Sequence, residues 1–378
     1  MKTSMDTNKN RTCRLGAKGG AVLAMAFSGL AMAGPIGAEG DIYIIGSWIN
    51  ANGFTAPAVV QYDGPTGDFV TRFAFRNGGQ FNGMTWGPNG NLFTSQQIGG
   101  AGRWRIAEFD GETGVFIQNV IDVQNAGFSV AKGLTFGPDG DLFVGDFFRG
   151  RVARYDGTTF QEIASTGDNT IGTPSGMHIA PNGNLMVLSG GNNQIKEYDI
   201  SNDGISAVGV FNDLPGVVQP QDFIWGPNGN IFVTGGSAGG VLEVDPTDGT
   251  FLGYFVPQDG SLPTNGLAFD DFGRFMVSIV FPISQINSYD AATGISTGVF
   301  ITNEELGIPT LISIKRGVAG GCSAADLAEP FGELNFFDVS EFLALFSASD
   351  PAADLNGDGA FNFFDVSEFL NTFSAGCP

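Results

Sequence analysis

The sequence predicts a mainly β fold made of repeated four-stranded units, followed by a small α-helical domain. Three observations support this prediction: a hairpin pattern that recurs five times, an apolar–Asp pair that recurs six times, and a nine-residue string that occurs twice near the C-terminus. The first two patterns repeat every 43 to 50 residues. Periods of this size are typical of propeller blades and not of helical repeats.

The recurring hairpin first occurs at residues 83–95, as GMTWGPNGNLFTS. Most copies contain two apolar stretches around a tight turn, in which Pro fixes φ and Asn or Asp precedes a Gly. Apolar stretches on both sides of such a turn are typical of a β-hairpin. The other copies are GLTFGPDGDLFVG at 133–145, GMHIAPNGNLMVL at 176–188, DFIWGPNGNIFVT at 222–234 and GLAFDDFGRFMVS at 266–278.

A pair formed by an apolar residue and Asp occurs once before the first predicted hairpin and once after each of the five, and a Gly-containing turn usually comes next. The pairs are Tyr62-Asp63, Phe109-Asp110, Tyr155-Asp156, Tyr198-Asp199, Val244-Asp245 and Tyr289-Asp290. We expect each pair to end a third strand and the turn to lead into a fourth. Six copies therefore predict a six-bladed β-propeller over residues 41–317.

Six pairs but only five hairpins predict how the ring closes. The chain enters the repeats at DIYIIGS, residues 41–47, which matches the second strand of the hairpin, so the first blade lacks its innermost strand. Residues 310–317, TLISIKRG, show the apolar–polar alternation of a strand and begin 44 residues after Gly266. We expect them to supply the missing strand and to cover sheet edges that an open array would expose.

Repeats of the form GLxFxPDGxLxVxD with a later YD resemble those of NHL-repeat and gluconolactonase-like six-bladed propellers, over residues 41–317. In the lactonase-like relatives, acids and amides just before the Gly of the innermost strand hold a divalent metal at the channel mouth. The matching positions here are Asn82, Lys132, Ser175, Gln221 and Asn265, with Asp222 one residue further in. Because Lys132 is a cation and a divalent ion prefers several carboxylate or carbonyl oxygens, we expect no cofactor in the propeller.

The resemblance leaves the activity open, because these propellers include lactonases, a lyase and non-catalytic binding platforms. The lyase uses histidines, whereas His178 is the one histidine of this chain and is expected to be an ordinary strand residue. Phe147, Phe148 and Arg149 follow a second strand and either stack on a sugar or peptide or simply pack in the loop. The sequence favours non-catalytic binding of an extracellular carbohydrate or protein; a metal-dependent lactonase or hydrolase and a purely structural display protein are the alternatives.

The C-terminal domain is predicted at residues 322–378, after the Gly-rich linker 317–321, GVAGG. The string NFFDVSEFL occurs at 335–343 and 362–370, and each copy predicts a helix that starts at its Asp. Apolar residues follow at helical spacing, so the two helices are expected to pack together. The two stripes are Val339, Phe342, Leu343 and Phe346, and Val366, Phe369, Leu370 and Phe373.

A calcium-binding loop is predicted immediately before the second helix, at DLNGDGAFNFFD. Oxygen ligands fall at loop positions 1, 3, 5, 7, 9 and 12, as an EF-hand-type loop requires. The residues at these positions are Asp354, Asn356, Asp358, Ala360, Asn362 and Asp365. In the first copy Leu327 and Phe331 occupy positions 1 and 5, which favours a loop held by packing over a second calcium site.

Residues 322–378, which end in Gly-Cys-Pro, resemble dockerin modules. The resemblance implies a calcium cofactor, a cohesin-like protein partner and a place in an extracellular assembly, often one for polysaccharide breakdown. Cys322 and Cys377 stand at the two ends of this segment, and in an exported chain they are expected to form a disulfide, with two free thiols as the alternative.

Residues 1–33 have the features of a signal peptide: five Lys or Arg, an apolar stretch shorter than a membrane span, and Ala31-Met32-Ala33 at its end. We therefore expect a secreted or cell-surface protein. Removal of residues 1–33 would leave 12 Lys and Arg against 38 Asp and Glu, a net charge of −26. Such a surface repels phosphate groups, so nucleic acid and anionic membranes are not expected as partners.

Overall fold

The computed structural model describes residues 36–38, 40–49, 55–76, 79–97, 104–122, 128–258, 262–280, 283–302, 306–315, 323, 325–328, 334–348, 353, 355 and 361–376. All of them belong to one compact unit, Ala33–Pro378. The expected signal peptide, the Gly-rich linker and both C-terminal cysteines lie outside the described residues.

Six four-stranded antiparallel sheets form the blades of a β-propeller. In blades 2 to 6 the strands follow one another from the channel outward in chain order. The first blade contributes β1 (Ile42–Ile49), β2 (Thr55–Tyr62) and β3 (Phe69–Phe75); blade 2 has β4 (Phe81–Trp86), β5 (Leu92–Gln97), β6 (Trp104–Phe109) and β7 (Phe116–Ile121); blade 3 has β8 (Ala131–Phe136), β9 (Leu142–Asp146), β10 (Arg151–Tyr155) and β11 (Glu162–Ser165). Blade 4 has β12 (Pro174–Ile179), β13 (Leu185–Ser189), β14 (Gln194–Asp199) and β15 (Ser206–Asp213); blade 5 has β16 (Phe223–Trp225), β17 (Ile231–Thr234), β18 (Val241–Val244) and β19 (Phe251–Val256); blade 6 has β20 (Thr264–Phe269), β21 (Arg274–Ile279), β22 (Gln285–Asp290) and β23 (Ser296–Ile301).

The predicted ring closure is confirmed. A last strand, β24 (Ile312–Ile314), pairs antiparallel with β1 and becomes the innermost strand of blade 1. The main chain continues the pairing, because the Thr310 N–H donates to the Ile45 carbonyl at 3.0 Å. The buried Lys315 ammonium then donates to the carbonyls of Gly37 and Gly111, at 2.6 and 3.0 Å. The two ends of the propeller are thus joined by main-chain and side-chain hydrogen bonds.

The core of the propeller consists of six apolar clusters, each between two neighbouring blades. Ile42 and Ile44 of blade 1 pack with Met276 of blade 6, for example, and Phe93 of blade 2 packs with Leu142 of blade 3. The outermost strands expose much of their side-chain surface, as β7 and β19 do. Each sheet therefore buries both faces against its neighbours, and because the ring is closed every blade has two neighbours.

The glycine of the repeated hairpin turn has a conformational reason. Residues at this turn position have positive φ angles of 75° to 83°, a region that residues with a Cβ rarely adopt. They are Gly90, Gly140, Gly183, Gly229 and Gly273. Because the same strained position recurs in each of these blades, glycine recurs with it in the sequence.

Two helices, α1 (Phe336–Ala348) and α2 (Phe363–Ala375), make up most of the described part of the C-terminal domain. Their core is a stacked pair, Phe342 and Phe369, with ring centroids 4.2 Å apart and an interplanar angle of 9°. The predicted apolar stripes contain one residue too many on each helix, because Leu343 and Leu370 are not buried but exposed by 54% and 57%. A two-helix contact covers a seam narrower than the four-residue stripe, so the i+4 position remains at its edge.

No helix in the described part of the chain is long and apolar enough to span a bilayer.

Candidate functional site at the channel mouth

The predicted rim residues of four blades lie at β-bulges in the innermost strands. Pairing between β4 and β5 is interrupted between Phe81 and Met84, which leaves Asn82 outside the regular register. Equivalent interruptions occur in β8, β12 and β20. They leave Lys132, Ser175 and Asn265 outside the register in the same way. Because a bulge changes the direction of a side chain, these residues need not follow the alternation of their strands.

The glycine after the rim residue lets neighbouring innermost strands approach closely at two of these bulges. A Cβ at Gly133 would lie 2.2 Å from the Ser175 carbonyl oxygen of the next blade, and one at Gly266 would lie 2.7 Å from the Thr310 carbonyl oxygen. Real Cβ atoms do not come this close to a backbone oxygen. At Gly133 and Gly266, therefore, only glycine leaves room for the backbone of the neighbouring strand.

Asp222 stands in place of this glycine in blade 5 and connects blade 5 to blade 6. Its carboxylate accepts hydrogen bonds from the N–H groups of Leu267 in blade 6, at 3.2 Å, and of Phe223, at 3.0 Å. His178 Nε2 of blade 4 lies 3.9 Å from the same carboxylate. Asp222 is buried, so the one carboxylate predicted at the rim is engaged in holding the ring together.

Lys132 extends from blade 3 towards blade 5. Its ammonium group donates a hydrogen bond to Gln221 Oε1 and lies 5.3 Å from the centroid of the Phe147 ring. Burial lowers the pKa of Lys132 to about 8, and the negative charge of Asp222 partly opposes this effect. The rim thus holds an ammonium group where the lactonase-like pattern has a metal ligand.

A pocket of about 570 Å³ opens beside Lys132, between blades 2 and 3. Its lining combines three carboxamides, one hydroxyl, one ammonium, three aromatic side chains and a valine. These residues are Gln80, Asn82, Gln97, Trp104, Ser129, Val130, Lys132, Phe147 and Phe148. Phe148 is exposed by 70% and contacts Phe147 edge-on, with centroids 5.2 Å apart. Of the predicted rim residues, only Asn82 and Lys132 line this pocket.

Asp146, which the sequence analysis did not identify, holds one wall of the pocket in place. Its fully buried carboxylate accepts hydrogen bonds from the N–H of Ser129, at 3.1 Å, and from the Ser129 hydroxyl. The Phe147 N–H also donates to the Val130 carbonyl at 2.9 Å. The segments before β8 and after β9 are therefore fixed to each other. In the sequence, the position of Asp146 at the end of the second strand of its blade is the feature that indicates this role.

The remaining candidates do not form a catalytic relay. The Ser175 hydroxyl donates to the carbonyls of Pro220 and Leu188, at 3.4 and 3.5 Å. His178 lies in β12 and packs edge-on against Phe223, with centroids 4.9 Å apart. Its 3.9 Å separation from Asp222 exceeds hydrogen-bond distance. Among the described residues, no group of three or more His, Cys, Asp or Glu side chains is placed to hold a metal ion.

Four of the six predicted calcium ligands, Asp354, Asn356, Asp358 and Ala360, lie outside the described residues. The other two form a capping box at the start of α2. The side chain of Asn362 accepts a hydrogen bond from the Phe364 N–H, and the fully buried Asp365 accepts one from the Asn362 N–H, both at 2.9 Å.

The first repeat uses its matching Asp differently. The carboxylate of Asp338 accepts hydrogen bonds from the N–H groups of Leu327, Ala328 and Asn335, at 2.8, 2.9 and 2.7 Å. These three backbone donors give both oxygens of the buried carboxylate a hydrogen-bond partner. This arrangement favours the interpretation that the first loop is held by packing.

No protein-family model matches the chain, and no curated protein matches it. Among solved structures, a protein of unknown function from Bacteroides caccae is 11% identical, with a TM-score of 0.53 over 73% of this chain and 98% of that one. A streptogramin B lyase is 13% identical, with a TM-score of 0.51 over 74% and 89% of the two chains. A structure described as a putative gluconolactonase is 20% identical, with a TM-score of 0.47 over 66% and 90%. At these identities the likeness shows the six-bladed propeller fold and nothing finer.

Proposed function

We propose that this is an exported binding protein whose propeller holds an extracellular carbohydrate in the pocket between blades 2 and 3. The observation that carries the proposal is the combination of the exposed Phe148 ring with three carboxamide side chains in one cavity. The C-terminal domain would attach the protein to a cohesin-like partner. This function is non-catalytic.

The lining of the pocket suits the chemistry of a sugar. A pyranose has an apolar face of C–H groups, which packs on an aromatic ring such as that of Phe148. Around its edge it carries hydroxyls that both donate and accept hydrogen bonds, as the carboxamides of Gln80, Asn82 and Gln97 do. The cavity of about 570 Å³ lies within the usual range for small-ligand pockets. A carbohydrate therefore fits better than an extended protein surface.

The rim residues do not fit the divalent metal of a lactonase. The ammonium group of Lys132 stands among the matching positions, and it would repel a cation there. Asp222, whose negative charge acts on Lys132, already accepts hydrogen bonds from two backbone N–H groups. Binding is therefore preferred to metal-assisted hydrolysis as the role of this channel mouth.

Two features support the proposed attachment through a dockerin-like domain. The spacing from Asp354 to Asp365 brings three carboxylates to one loop, and calcium, when bound, would neutralise them and fix that loop against α2. Both helices also leave equivalent apolar residues in solvent: Phe336 and Phe363 are exposed by 74% and 75%. Exposed apolar positions that recur in this way indicate a protein-binding surface.

The test is binding to a panel of short cello-, xylo-, manno-, galacto- and galacturono-oligosaccharides by isothermal titration calorimetry. We expect at least one member to bind, and Phe148→Ala to weaken its binding about tenfold or more, since burying a Phe ring against a ligand is worth roughly 1.5–3 kcal/mol. Phe272→Ala is the matched control, because Phe272 is also exposed but lies in the hairpin turn of blade 6. Equal binding by the parent and Phe148→Ala, or no binding to any sugar, would contradict the proposal.

A further inference from the structure

We infer that the pocket selects an acidic sugar, whose carboxylate binds the Lys132 ammonium group while its ring stacks on Phe148. This inference rests on the proposed function, because it specifies which class of carbohydrate the same pocket takes. It would make the preferred ligand a uronate-containing oligosaccharide in place of a neutral one.

The first argument is the incomplete neutralisation of Lys132. Three other cations in the propeller have a carboxylate as a direct hydrogen-bond partner: Arg154 bonds to Asp141, Arg274 to Asp270 and Lys315 to Glu112. Lys132 bonds instead to the neutral amide of Gln221. Arg105 also bonds to an amide, that of Gln96, but it does not line the pocket. Lys132 thus brings a positive charge to the cavity without a directly bonded counter-charge.

The charges around Lys132 leave room for an anion. Asp222 acts on the ammonium group through space, while its oxygens accept from Phe223 and Leu267. Asp146 is fully buried and accepts from Ser129, and its contact with Arg149 at 3.9 Å balances part of its charge. Burial lowers the pKa of Lys132 to about 8, so the group is still mainly protonated at pH 7. An incoming carboxylate would supply the charge-assisted hydrogen bond that this group lacks.

The second argument is the distance between the groups that would bind one sugar residue. In a uronate the carboxylate is attached directly to the pyranose ring. In the pocket the Lys132 ammonium lies 5.3 Å from the centroid of the Phe147 ring, and the Phe148 centroid lies 5.2 Å from that of Phe147. Asn82, from the neighbouring blade, lines the same cavity and carries a carboxamide of the kind that bonds to ring hydroxyls. Because the chain is strongly acidic overall and would repel a long polyanion, we expect a short uronate segment to bind best.

The experiment compares trigalacturonate with trigalactose, which differ in the oxidation of carbon 6, by calorimetry at pH 7. We expect the parent to bind trigalacturonate about tenfold or more tightly. Lys132→Gln should reduce this preference to less than about twofold, because it weakens the binding of trigalacturonate more than that of trigalactose, and Lys132→Arg should retain the preference. Lys196→Gln, on blade 4 outside the pocket, is the matched control.

The outcomes separate this inference from the proposed function. Equal binding of the two trisaccharides by the parent, with loss of both in Phe148→Ala, would overturn the acidic preference and leave carbohydrate binding intact. Tighter binding of a sulfated trisaccharide than of trigalacturonate would also overturn the assignment to a carboxylate. No binding of any trisaccharide would overturn the proposed function itself.

Discussion

At the scale of single residues, the informative positions are those where one blade departs from the repeat. Asp222 stands where other blades have a glycine, and its carboxylate reaches the Leu267 N–H of the next blade. Lys132 stands where two other blades have Asn, and it places a charge at the channel mouth. A repeat explains what all blades share, so function has to be sought in such differences. Asp222 joins two blades, whereas Lys132 lines the pocket and is expected to reduce stability in exchange for binding.

Lys132→Met should therefore stabilise the protein. The pKa of Lys132 is about 8 in the folded protein and 10.5 without the fold. Below pH 8 the lysine is charged in both states, so its burial fully opposes folding; between pH 8 and 10.5 the folded state loses the proton first and this penalty falls; above 10.5 it is absent. We expect a gain of about 2 kcal/mol at pH 7, after allowance for the lost Gln221 hydrogen bond.

Urea unfolding of the parent and Lys132→Met at pH 7 and pH 10 measures this gain. Most of the difference should disappear at the higher pH. Lys196→Met is the control, since the Lys196 ammonium bonds to the Thr170 carbonyl on an exposed surface. A destabilised Lys132→Met, or a gain that is the same at both pH values, would show that burial of the ammonium does not oppose folding.

At the scale of strands and turns, side-chain hydrogen bonds between the hairpin turn and the third strand of a blade recur with two opposite charge patterns. We call this set of hydrogen bonds the clasp. In blades 2, 4 and 5 the two Asn residues of the hairpin turn donate to a Glu on the third strand, as Asn89 and Asn91 do to Glu108, at 2.9 and 2.7 Å. In blade 3 the turn residues are Asp139 and Asp141, and the third strand carries Arg154, which bonds to both. The motif PNGN thus pairs with Glu, and PDGD pairs with Arg.

Reversing the charge of Arg154 in the blade 3 clasp should destabilise the propeller. Changing its two Asp partners to Asn as well should recover part of the lost stability. Arg154→Glu places a third carboxylate beside Asp139 and Asp141, so we expect a loss of about 3–5 kcal/mol. The triple variant Asp139→Asn, Asp141→Asn, Arg154→Glu recreates the clasp of blade 2. It should recover about half of the loss, because Arg154 also donates to the carbonyls of Ile200 and Gly204, at 3.2 and 3.1 Å.

Denaturant midpoints of the three proteins provide the measurement, with Asp139→Asn, Asp141→Asn alone as the control. This double variant leaves Arg154 buried without its counter-charges and should be less stable than the parent. A triple variant no more stable than Arg154→Glu would mean that the two charge patterns are not interchangeable.

At the scale of the whole molecule, the sequence was sufficient to predict the ring but not the pocket. Strand order, turn glycines and closure by β24 follow from local patterns that recur, and the structure confirms them. The pocket depends on where two adjacent blades converge, because Gln80 and Ser129 are about 50 positions apart and meet only in the folded ring. The bulge at Lys132 changes its direction, which no alternation pattern reveals.

The two parts of the chain also differ in how their folds are stabilised. The propeller buries six apolar clusters between blades and is closed by Lys315 and β24. The C-terminal domain has a much smaller core around Phe342 and Phe369. Domains of about 60 residues bury too little surface to be robust, and metals or disulfides commonly stabilise them further. Only the second part is therefore expected to depend on calcium.

The full-length chain should accordingly unfold in two thermal transitions, of which only one responds to calcium. Binding at a free calcium concentration 100 times the Kd adds about 2.7 kcal/mol. In a domain of this size, that corresponds to a rise of roughly 10–20 °C in Tm. Circular dichroism at 222 nm, recorded with calcium and with a chelator under reducing conditions, should show this shift in the helical transition alone. Asp354→Ala should remove the shift, while Asp203→Ala, which replaces an exposed acid of the propeller, should retain it. A helical transition at the same temperature with calcium and with chelator would mean that the loop before α2 does not use the ion to fold.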